Sequence, residues 1–250
     1  MVKSNANSTA ESQIVIADAL LNRGVNWADS SGVVGLHGTS IENFVSMLKK
    51  GTIEMDAQKS IAQGSNYNGR FYIIPYKSAF QNHPLHSQLT EMTPNTVFQA
   101  AADYSSIAAF FSYVNQFLPG VIDNRDYATL LPMDLRNGKH TRGIVEKLID
   151  KSKTKGFDRD FARKKIAEGI YQRRGIVLSV GPSILDYEVK NGEETPGREV
   201  YVEEPKIPTD KVILGAQVMI PDFKNEIYQR LRDSNFQPDY SDLETEKLLI

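Results

Sequence analysis

The sequence reads Val33-Val34-Gly35-Leu36-His37-Gly38-Thr39-Ser40 at the point where an apolar run meets a predicted helix. The helix is predicted to begin after Thr39, which serves as its N-cap, with Glu42 three residues later completing a capping box. His37 then lies at a strand end, beside the exposed amides of a helix N-terminus. Proteins of the α/β and α+β classes present polar groups to an anionic or amide-bearing ligand at such a place. A packed core histidine is the alternative interpretation of His37.

The remaining elements are predicted from the spacing of apolar residues and from the Gly, Pro and Thr residues that mark the ends of helices and strands. Helices are predicted over 12–27, 41–50, 94–117, 141–151 and 158–173, and strands over 51–54, 70–75, 127–133, 176–180, 184–189, 198–202 and 211–220. Residues 76–92 are read as an irregular insertion or flexible flap. They contain His83 and His86, but Pro84 between them and the absence of an obvious acidic partner argue against a metal site. No repeat or linker is visible, so one α+β domain is predicted.

Composition limits the class of protein. The chain has 250 residues, 40% of them hydrophobic and 24% charged, with a formal net charge of −2. Because it has no cysteine, disulfides, zinc–thiolate sites and thiol nucleophiles are excluded. No apolar run approaches the length of a membrane span, so we expect a soluble protein without a membrane partner. Residues 1–12 are predicted to be disordered and lack the apolar core of a cleaved signal peptide, whereas 13–250 form the predicted domain.

Charge is distributed unevenly along the chain. Arg136 to Arg174 holds 13 Lys or Arg against 5 Asp or Glu, whereas the stretch from Pro182 onward holds 8 against 15. The basic stretch coincides with a predicted helical insertion at about 134–174. It is either a solvated set of helix faces or a basic face that helps hold a phosphate-rich ligand or an acidic partner.

Two further features follow the first strand. Gly69-Arg70-Phe71-Tyr72 leads into an aromatic strand, and a helix rich in small residues comes after it. A late predicted strand opens with the glutamate of Glu199-Val200-Tyr201-Val202, before the turn Pro205-Lys206-Ile207-Pro208. In this order the three features resemble the ADP-ribosyltransferase superfamily, in its histidine–tyrosine–glutamate branch of diphtheria-toxin-like and poly(ADP-ribose)-polymerase-like proteins. The resemblance covers roughly residues 33–220. It implies two small, packed, mainly antiparallel sheets with flanking helices.

The reaction of such enzymes, cleavage of NAD between nicotinamide and ribose, suits these residue types. A carboxylate can hydrogen-bond the ribose 2′-hydroxyl and stabilise the oxocarbenium-like transition state, the role expected of Glu199. A tyrosine face can stack on the cationic nicotinamide ring, the role expected of Tyr72. Glycine allows close approach, so the Gly38 backbone is expected to hold the nicotinamide carboxamide.

The resemblance adds roles for three residues. His37 would bond the adenosine-side ribose and count with Glu199 and Tyr72 as catalytic. Thr39 would belong to the NAD-binding set, as would Tyr104, a second ring-stacking candidate. Tyr72 as an ordinary sheet residue and Tyr104 as a core residue remain alternative interpretations.

The catalytic carboxylate also has competitors. Glu203 and Glu204 lie close to Glu199, which is preferred because it precedes the alternating strand in register with the family pattern. Arginine-modifying relatives carry a second acid two positions before the catalytic glutamate. Here that position is Gly197, and the first strand offers His37 where those relatives carry an arginine, so the expected acceptor is a side chain other than arginine. Because poly(ADP-ribose) synthesis usually needs a larger scaffold, the resemblance implies transfer of a single ADP-ribose unit.

Several acceptors and settings stay open. The alternatives are an NAD glycohydrolase, a nucleic-acid-directed ADP-ribosyltransferase, or a non-catalytic binding module on the same fold. The net charge argues against a nucleic-acid partner. The Ser/Asn-rich start of a cysteine-free transferase resembles bacterial effectors, toxins delivered by an injection system into the host cytosol. On that reading the protein is a monomeric virulence factor whose partner is a host protein, with ubiquitin and small GTPases as precedents in the family.

Overall fold

A six-stranded antiparallel sheet is the largest element of the computed structural model, which describes residues 9–25, 32–54, 69–122, 138–171, 175–193 and 195–236. Its strand order is β5-β6-β3-β1-β4-β8, and β2 and β7 form a separate antiparallel pair. The strands are β1 (Gly35–Ser40), β2 (Thr52–Glu54), β3 (Phe71–Pro75), β4 (Gly175–Val180), β5 (Val189–Asn191), β6 (Val200–Val202), β7 (Lys206–Pro208) and β8 (Ile213–Val218).

The helices flank the large sheet. They are α1 (Ala10–Arg23), α2 (Ile41–Lys50), α3 (Pro94–Phe117), α4 (Gly138–Thr154), α5 (Arg159–Tyr171), α6 (Thr209–Val212) and α7 (Lys224–Arg232), with short 3-10 turns at Lys77–Phe80, His86–Gln88, Pro182–Asp186 and Pro221–Phe223. Mixed α/β structure and antiparallel sheets confirm the predicted class. The two sheets are unequal, however, because β3 pairs with both β1 and β6 and so joins six strands into one.

The helix after the first strand has the predicted bounds but a different cap. Its buried face consists of Ile41, Phe44, Val45 and Leu48, and Gly51 ends it in the left-handed conformation at φ 67°. Ser40, not Thr39, is the N-cap, since the Ser40 hydroxyl accepts from the backbone N–H of Asn43 at 3.2 Å. The predicted capping box is also wrong, because Glu42 stands two positions after this N-cap rather than three; its carboxylate pairs with Arg230 of α7 at 3.3 Å.

Helix α3 lies directly against the sheet because glycines remove the side chains between them. A Cβ added to Gly38 of β1 would lie 2.0 Å from the Ala101 carbonyl oxygen, and one added to Gly175 of β4 would lie 2.4 Å from the Ser105 hydroxyl. Gly175 stands opposite Ser40 in the register of β1 and β4. The backbone of α3 therefore packs directly against two neighbouring strands, β1 and β4.

Apolar residues cover both faces of the large sheet. Phe71 and Ile73 of β3 belong to one core, shared with α1, α2 and α7, whereas Ile74 and Leu36 belong to the core beneath α3. A third cluster joins the far half of α3 to α4 and α5. The predicted helical insertion is therefore packed on α3, although residues 123–137 and 172–174 lie outside the described part.

Two segments differ from prediction. Residues 76–92 contain two 3-10 turns and bury Phe80 and Leu89, so the segment is anchored to the main core rather than irregular. Residues 184–189 were predicted as a strand, but Pro182 begins a 3-10 turn that runs to Asp186, and β5 starts only at Val189.

Some predicted segments lie wholly or partly outside the residues that the structure describes. Helix α1 begins at Ala10, earlier than predicted and inside the stretch 1–12 expected to be disordered; its N-cap is Thr9. Residues 1–8, the predicted strand 127–133 and the loop 63–68 lie outside the described residues. Among the helices that are described, none combines the length and apolar character needed to cross a membrane.

Candidate active site

The site begins where β1 and β3 separate. These strands pair only at Gly35–Pro75 and Leu36–Ile74. Just before β1, Val34 bonds to both neighbours: its carbonyl accepts from the Tyr76 N–H at 2.9 Å, and its N–H donates to the Val180 carbonyl at 2.7 Å. Beyond Leu36, β1 pairs with β4 as far as Ser40, but no described pair joins it to β3. Among the described residues, the β3-side edge of β1 around Gly38 therefore has no partner strand.

The reason for glycine at this position differs from the predicted one. Position 38 must lack a side chain because the α3 backbone occupies the space where a Cβ would project. The unpaired edge of β1 at this point follows from the separation of β1 and β3 and does not depend on glycine.

His37 bridges the separated strands. Its Nδ1–H donates to the Tyr72 carbonyl at 2.7 Å, and its ring lies 4.3 Å from the Phe71 ring, centroid to centroid. Burial of the partly covered ring lowers the pKa of His37 to about 4, so the imidazole is neutral at pH 7. With Nδ1 protonated, Nε2 is an acceptor, and no described residue donates to it.

Glu199 and Tyr104, 95 positions apart, meet in the structure. The Tyr104 hydroxyl donates to Glu199 Oε2 at 2.8 Å, and the Glu199 side chain is buried, with 1% of the residue exposed. Tyr104 itself is partly exposed on α3. The structure therefore gives Tyr104 a polar contact with the carboxylate rather than a purely apolar core position.

The backbone around Glu199 is held by several local contacts. Gly192 leaves room for the glutamate, since a Cβ there would lie 2.3 Å from Glu199 Cγ. The Asn191 side chain accepts from the Gly197 N–H at 2.8 Å, and the Gly197 carbonyl accepts from the Thr90 N–H at 2.8 Å. Gly197 adopts φ +79°, a conformation that suits glycine. The 76–92 segment thus supports the turn that delivers Glu199.

The other two carboxylates of this segment have different surroundings. Glu203 accepts from Arg70 at 2.9 Å and also pairs with Lys190, whereas Glu204 is exposed. Of the three competing glutamates, only Glu199 is buried beneath α3.

Tyr72 contributes both its backbone and its ring. Its carbonyl holds His37, while its ring lies 5.3 Å from the Tyr201 ring at a tilt of 41°. Burial raises the pKa of Tyr72 to about 12, with Arg70 acting in the opposite direction and Glu199 adding to the rise. In the register of β3 and β6, Tyr72 stands opposite Tyr201, two positions after Glu199.

Not every predicted residue joins the site. Thr39 is buried, and its hydroxyl accepts from the Asn43 side chain at 3.3 Å, which directs it toward the start of α2. Sequence reasoning missed a role for Arg70, Gly192 and Asn191. Arg70 lies two positions before Tyr72 and hence on the same strand face, a pattern that could have revealed it.

Metal ligation receives no support from the part of the chain that the structure describes, which contains no group of three or more His, Asp or Glu side chains arranged to hold an ion. The 83–86 segment forms a local turn in which the Leu85 N–H donates to His83 Nδ1 at 3.2 Å. The site is therefore a carboxylate, two tyrosines, a neutral histidine and an open strand edge. Comparison with protein-family models, curated proteins and solved structures finds no match to this chain.

Proposed function

We propose that the protein is a mono-ADP-ribosyltransferase that cleaves NAD and transfers ADP-ribose to a side chain, other than arginine, of a partner protein. The observation that carries the proposal is the hydrogen bond from Tyr104 to Glu199 at 2.8 Å. Two residues that the family resemblance names separately, one on a helix and one at a strand start, contact each other beside the separated strands. A chance resemblance of short motifs gives no reason for that contact.

The proposed reaction uses the residues as follows. The bond between the ribose C1′ and the nicotinamide nitrogen breaks, and its electron pair leaves with neutral nicotinamide. Glu199 stabilises the positive charge that develops on the ribose and accepts a hydrogen bond from the 2′-hydroxyl. A nucleophilic side chain of the acceptor then bonds to C1′ and loses its proton.

Binding of NAD uses the open strand edge and the aromatic rings. The N–H and C=O of Gly38 complement the carbonyl and amino groups of the nicotinamide carboxamide, and the ring of Tyr72 offers its face to the pyridinium. The neutral imidazole of His37 suits the adenosine-side ribose of NAD, because its Nε2 can accept a hydrogen bond from a ribose hydroxyl.

The burial of Glu199 gives binding a conformational step. Because 1% of the residue is exposed, the ribose reaches the carboxylate only when Tyr104 shifts away from it. Tyr104 is then released from the carboxylate at the moment when the nicotinamide ring arrives, which frees it for stacking.

The acceptor class rests on a departure from the arginine-modifying pattern. Gly197 stands two positions before Glu199, and its φ of +79° and its contact with Thr90 leave no place for an acidic side chain there. A host protein such as ubiquitin or a small GTPase fits the resemblance to bacterial effectors, and delivery into a host cell is part of the same proposal.

Transfer of label from NAD to protein tests the proposal. The native chain, Glu199→Gln and Glu204→Gln are incubated with NAD labelled in the adenosine part and a eukaryotic cell lysate. We expect a labelled protein with the native chain and with Glu204→Gln, and at least a hundredfold less with Glu199→Gln. Mass spectrometry of the labelled protein then identifies the modified residue.

Other outcomes would replace the proposal. Labelled free ADP-ribose without lysate and without labelled protein would indicate an NAD glycohydrolase. Binding of NAD with neither transfer nor cleavage would indicate a binding module. Modified arginine would contradict the proposed acceptor class.

A further inference from the structure

Arg70 lies beside the candidate site and is anchored by carboxylates. It faces the same side of the sheet as Tyr72, and its guanidinium donates to Glu203 at 2.9 Å and to Glu193 at 3.0 Å. The side chain is 16% exposed, whereas those of Glu193 and Glu203 are 49% and 39% exposed. The cation is thus covered, and both anions stand on its solvent side.

The same guanidinium contacts both tyrosines of the sheet. Its Nη1–H donates to the Tyr72 hydroxyl at 3.3 Å, and its central carbon lies 4.3 Å from the centroid of the Tyr201 ring. Tyr201 stands opposite Tyr72 in the register of β3 and β6, and their rings are 5.3 Å apart. Arg70 therefore fixes one phenol by its hydroxyl and the neighbouring ring by its face.

Tyr201 is buried, with 5% of the residue exposed, whereas Tyr72 is partly exposed, so Tyr201 backs the pair and the Tyr72 ring is the one that a ligand can reach. Stacking of a flat ligand requires one ring plane to be held, and side chains already held lose less entropy on binding. Since Tyr72 and Tyr201 share one rigid planar anchor, their relative tilt is set before a ligand arrives.

We propose that Arg70 is a positioning residue that fixes the Tyr72–Tyr201 pair as the stacking platform for the nicotinamide ring of NAD. This inference rests on the proposed function. Arg70 does not touch the substrate in this account; it acts through the two tyrosines.

The carboxylates around Arg70 make the arrangement compatible with a cationic ligand. A positive charge next to the platform would repel the pyridinium, but Glu193 and Glu203 compensate it. Burial alone would lower the pKa of Arg70, yet the hydrogen bonds with Glu193 and Tyr72 outweigh that effect and raise it, so the guanidinium stays charged. The platform therefore keeps its anchor without presenting a net positive charge.

Lysine should replace this anchor poorly. An ammonium group can reach one carboxylate, but it lacks the planar fork that contacts two carboxylates, a hydroxyl and a ring face together.

The test measures NAD affinity by calorimetry in the Glu199→Gln background, which removes turnover. In that background we compare Arg70→Gln, Arg70→Lys and a matched control, Lys190→Gln. Lys190 also pairs with Glu203 and stands opposite Tyr201 in the register of β5 and β6, where its charge interacts with the Tyr201 phenol. Unlike the guanidinium of Arg70, its ammonium has no described hydrogen bond to Tyr72 and no described stacking on the Tyr201 ring. We expect the Kd for NAD to rise at least fivefold with Arg70→Gln and at least threefold with Arg70→Lys, and to change less than twofold with Lys190→Gln.

A double-mutant cycle separates positioning from a general structural effect. Tyr72→Phe removes the hydroxyl that Arg70 contacts, so Arg70→Gln should weaken NAD binding less in that variant than alone. Equal factors in both contexts, or unchanged affinity with folded Arg70→Gln and Arg70→Lys, would overturn the role of Arg70. Absence of NAD binding by both the native chain and the Glu199→Gln variant would instead overturn the proposed function, and this inference with it.

Discussion

His37 gives a pH dependence whose sign follows from its burial. Its pKa is about 4 in the folded chain and near 6.5 when unfolded, so between these values the unfolded chain binds more protons. Acidification through that window should therefore reduce stability, by up to roughly 3 kcal/mol for this residue. Urea unfolding at pH 7, 5.5 and 4.5 should show a steeper loss for the native chain than for His37→Gln. Parallel losses would contradict the burial of a neutral imidazole.

Tyr104 and Tyr113 form a matched pair on α3. Each donates its hydroxyl to a buried glutamate, Tyr104 to Glu199 and Tyr113 to Glu168, but only the first pair lies at the candidate site. Phenylalanine at either position should lower the free energy of unfolding by about 1–3 kcal/mol, because a buried carboxylate loses a donor. Nicotinamide release should fall at least tenfold with Tyr104→Leu, which removes the ring proposed to stack on nicotinamide, and stay within twofold with Tyr113→Phe. Equal effects of the two variants on release would remove Tyr104 from the site.

At the residue scale, residue type and order were enough to nominate candidate residues but not to predict the contacts between them. His37, Tyr72 and Glu199 could be nominated from residue type and order, and the structure brings them to one region. The link between His37 and Tyr72 could not be foreseen, since it uses a backbone carbonyl that carries no sequence signal. Thr39 was wrongly predicted to be the N-cap of α2, because the N-cap is its neighbour Ser40 and both residue types are good N-caps.

At the scale of elements, the close packing of α3 on β1 is the feature that can be tested most directly. In Gly38→Ala the new methyl would lie 2.0 Å from a carbonyl oxygen and 2.6 Å from an amide nitrogen of α3, neither of which can rotate away. We expect a loss of more than about 2 kcal/mol of stability. Gly143→Ala in α4 is the control, because nothing lies within 4 Å of its Cβ position, and it should gain about 0.5–1 kcal/mol from helix propensity. Chemical denaturation of both variants decides the matter; a stable Gly38→Ala protein would mean that α3 does not contact β1 in this way.

Elements with marked ends were predicted well. Helix α3 has the predicted bounds because Thr93 caps it, Pro94 starts it and Leu118-Pro119-Gly120 ends it. The stretch 184–189 was misread because Ile184, Leu185 and Val189 give a strand-like apolar pattern, while Pro182 and the local turn decide the conformation.

At the scale of the whole molecule, the pairing of the strands could not be predicted from the sequence. Nothing local indicates that β3 pairs with both β1 and β6, yet this joins the strand holding His37 to the strand that follows Glu199. The separation of β1 from β3 after two residue pairs is likewise a product of packing, since α3 and β4 hold the rest of β1. The candidate site is thus a consequence of topology, although its residues were nominated one by one.

The central claim, that Glu199 is the carboxylate of an NAD-cleaving site, is tested most directly by nicotinamide release from NAD in the presence of lysate. The native chain and Glu204→Gln should release nicotinamide at similar rates, and Glu199→Gln should be at least a hundredfold slower while unfolding as cooperatively as the native chain. Equal release by Glu199→Gln, or none by the folded native chain, would contradict the account.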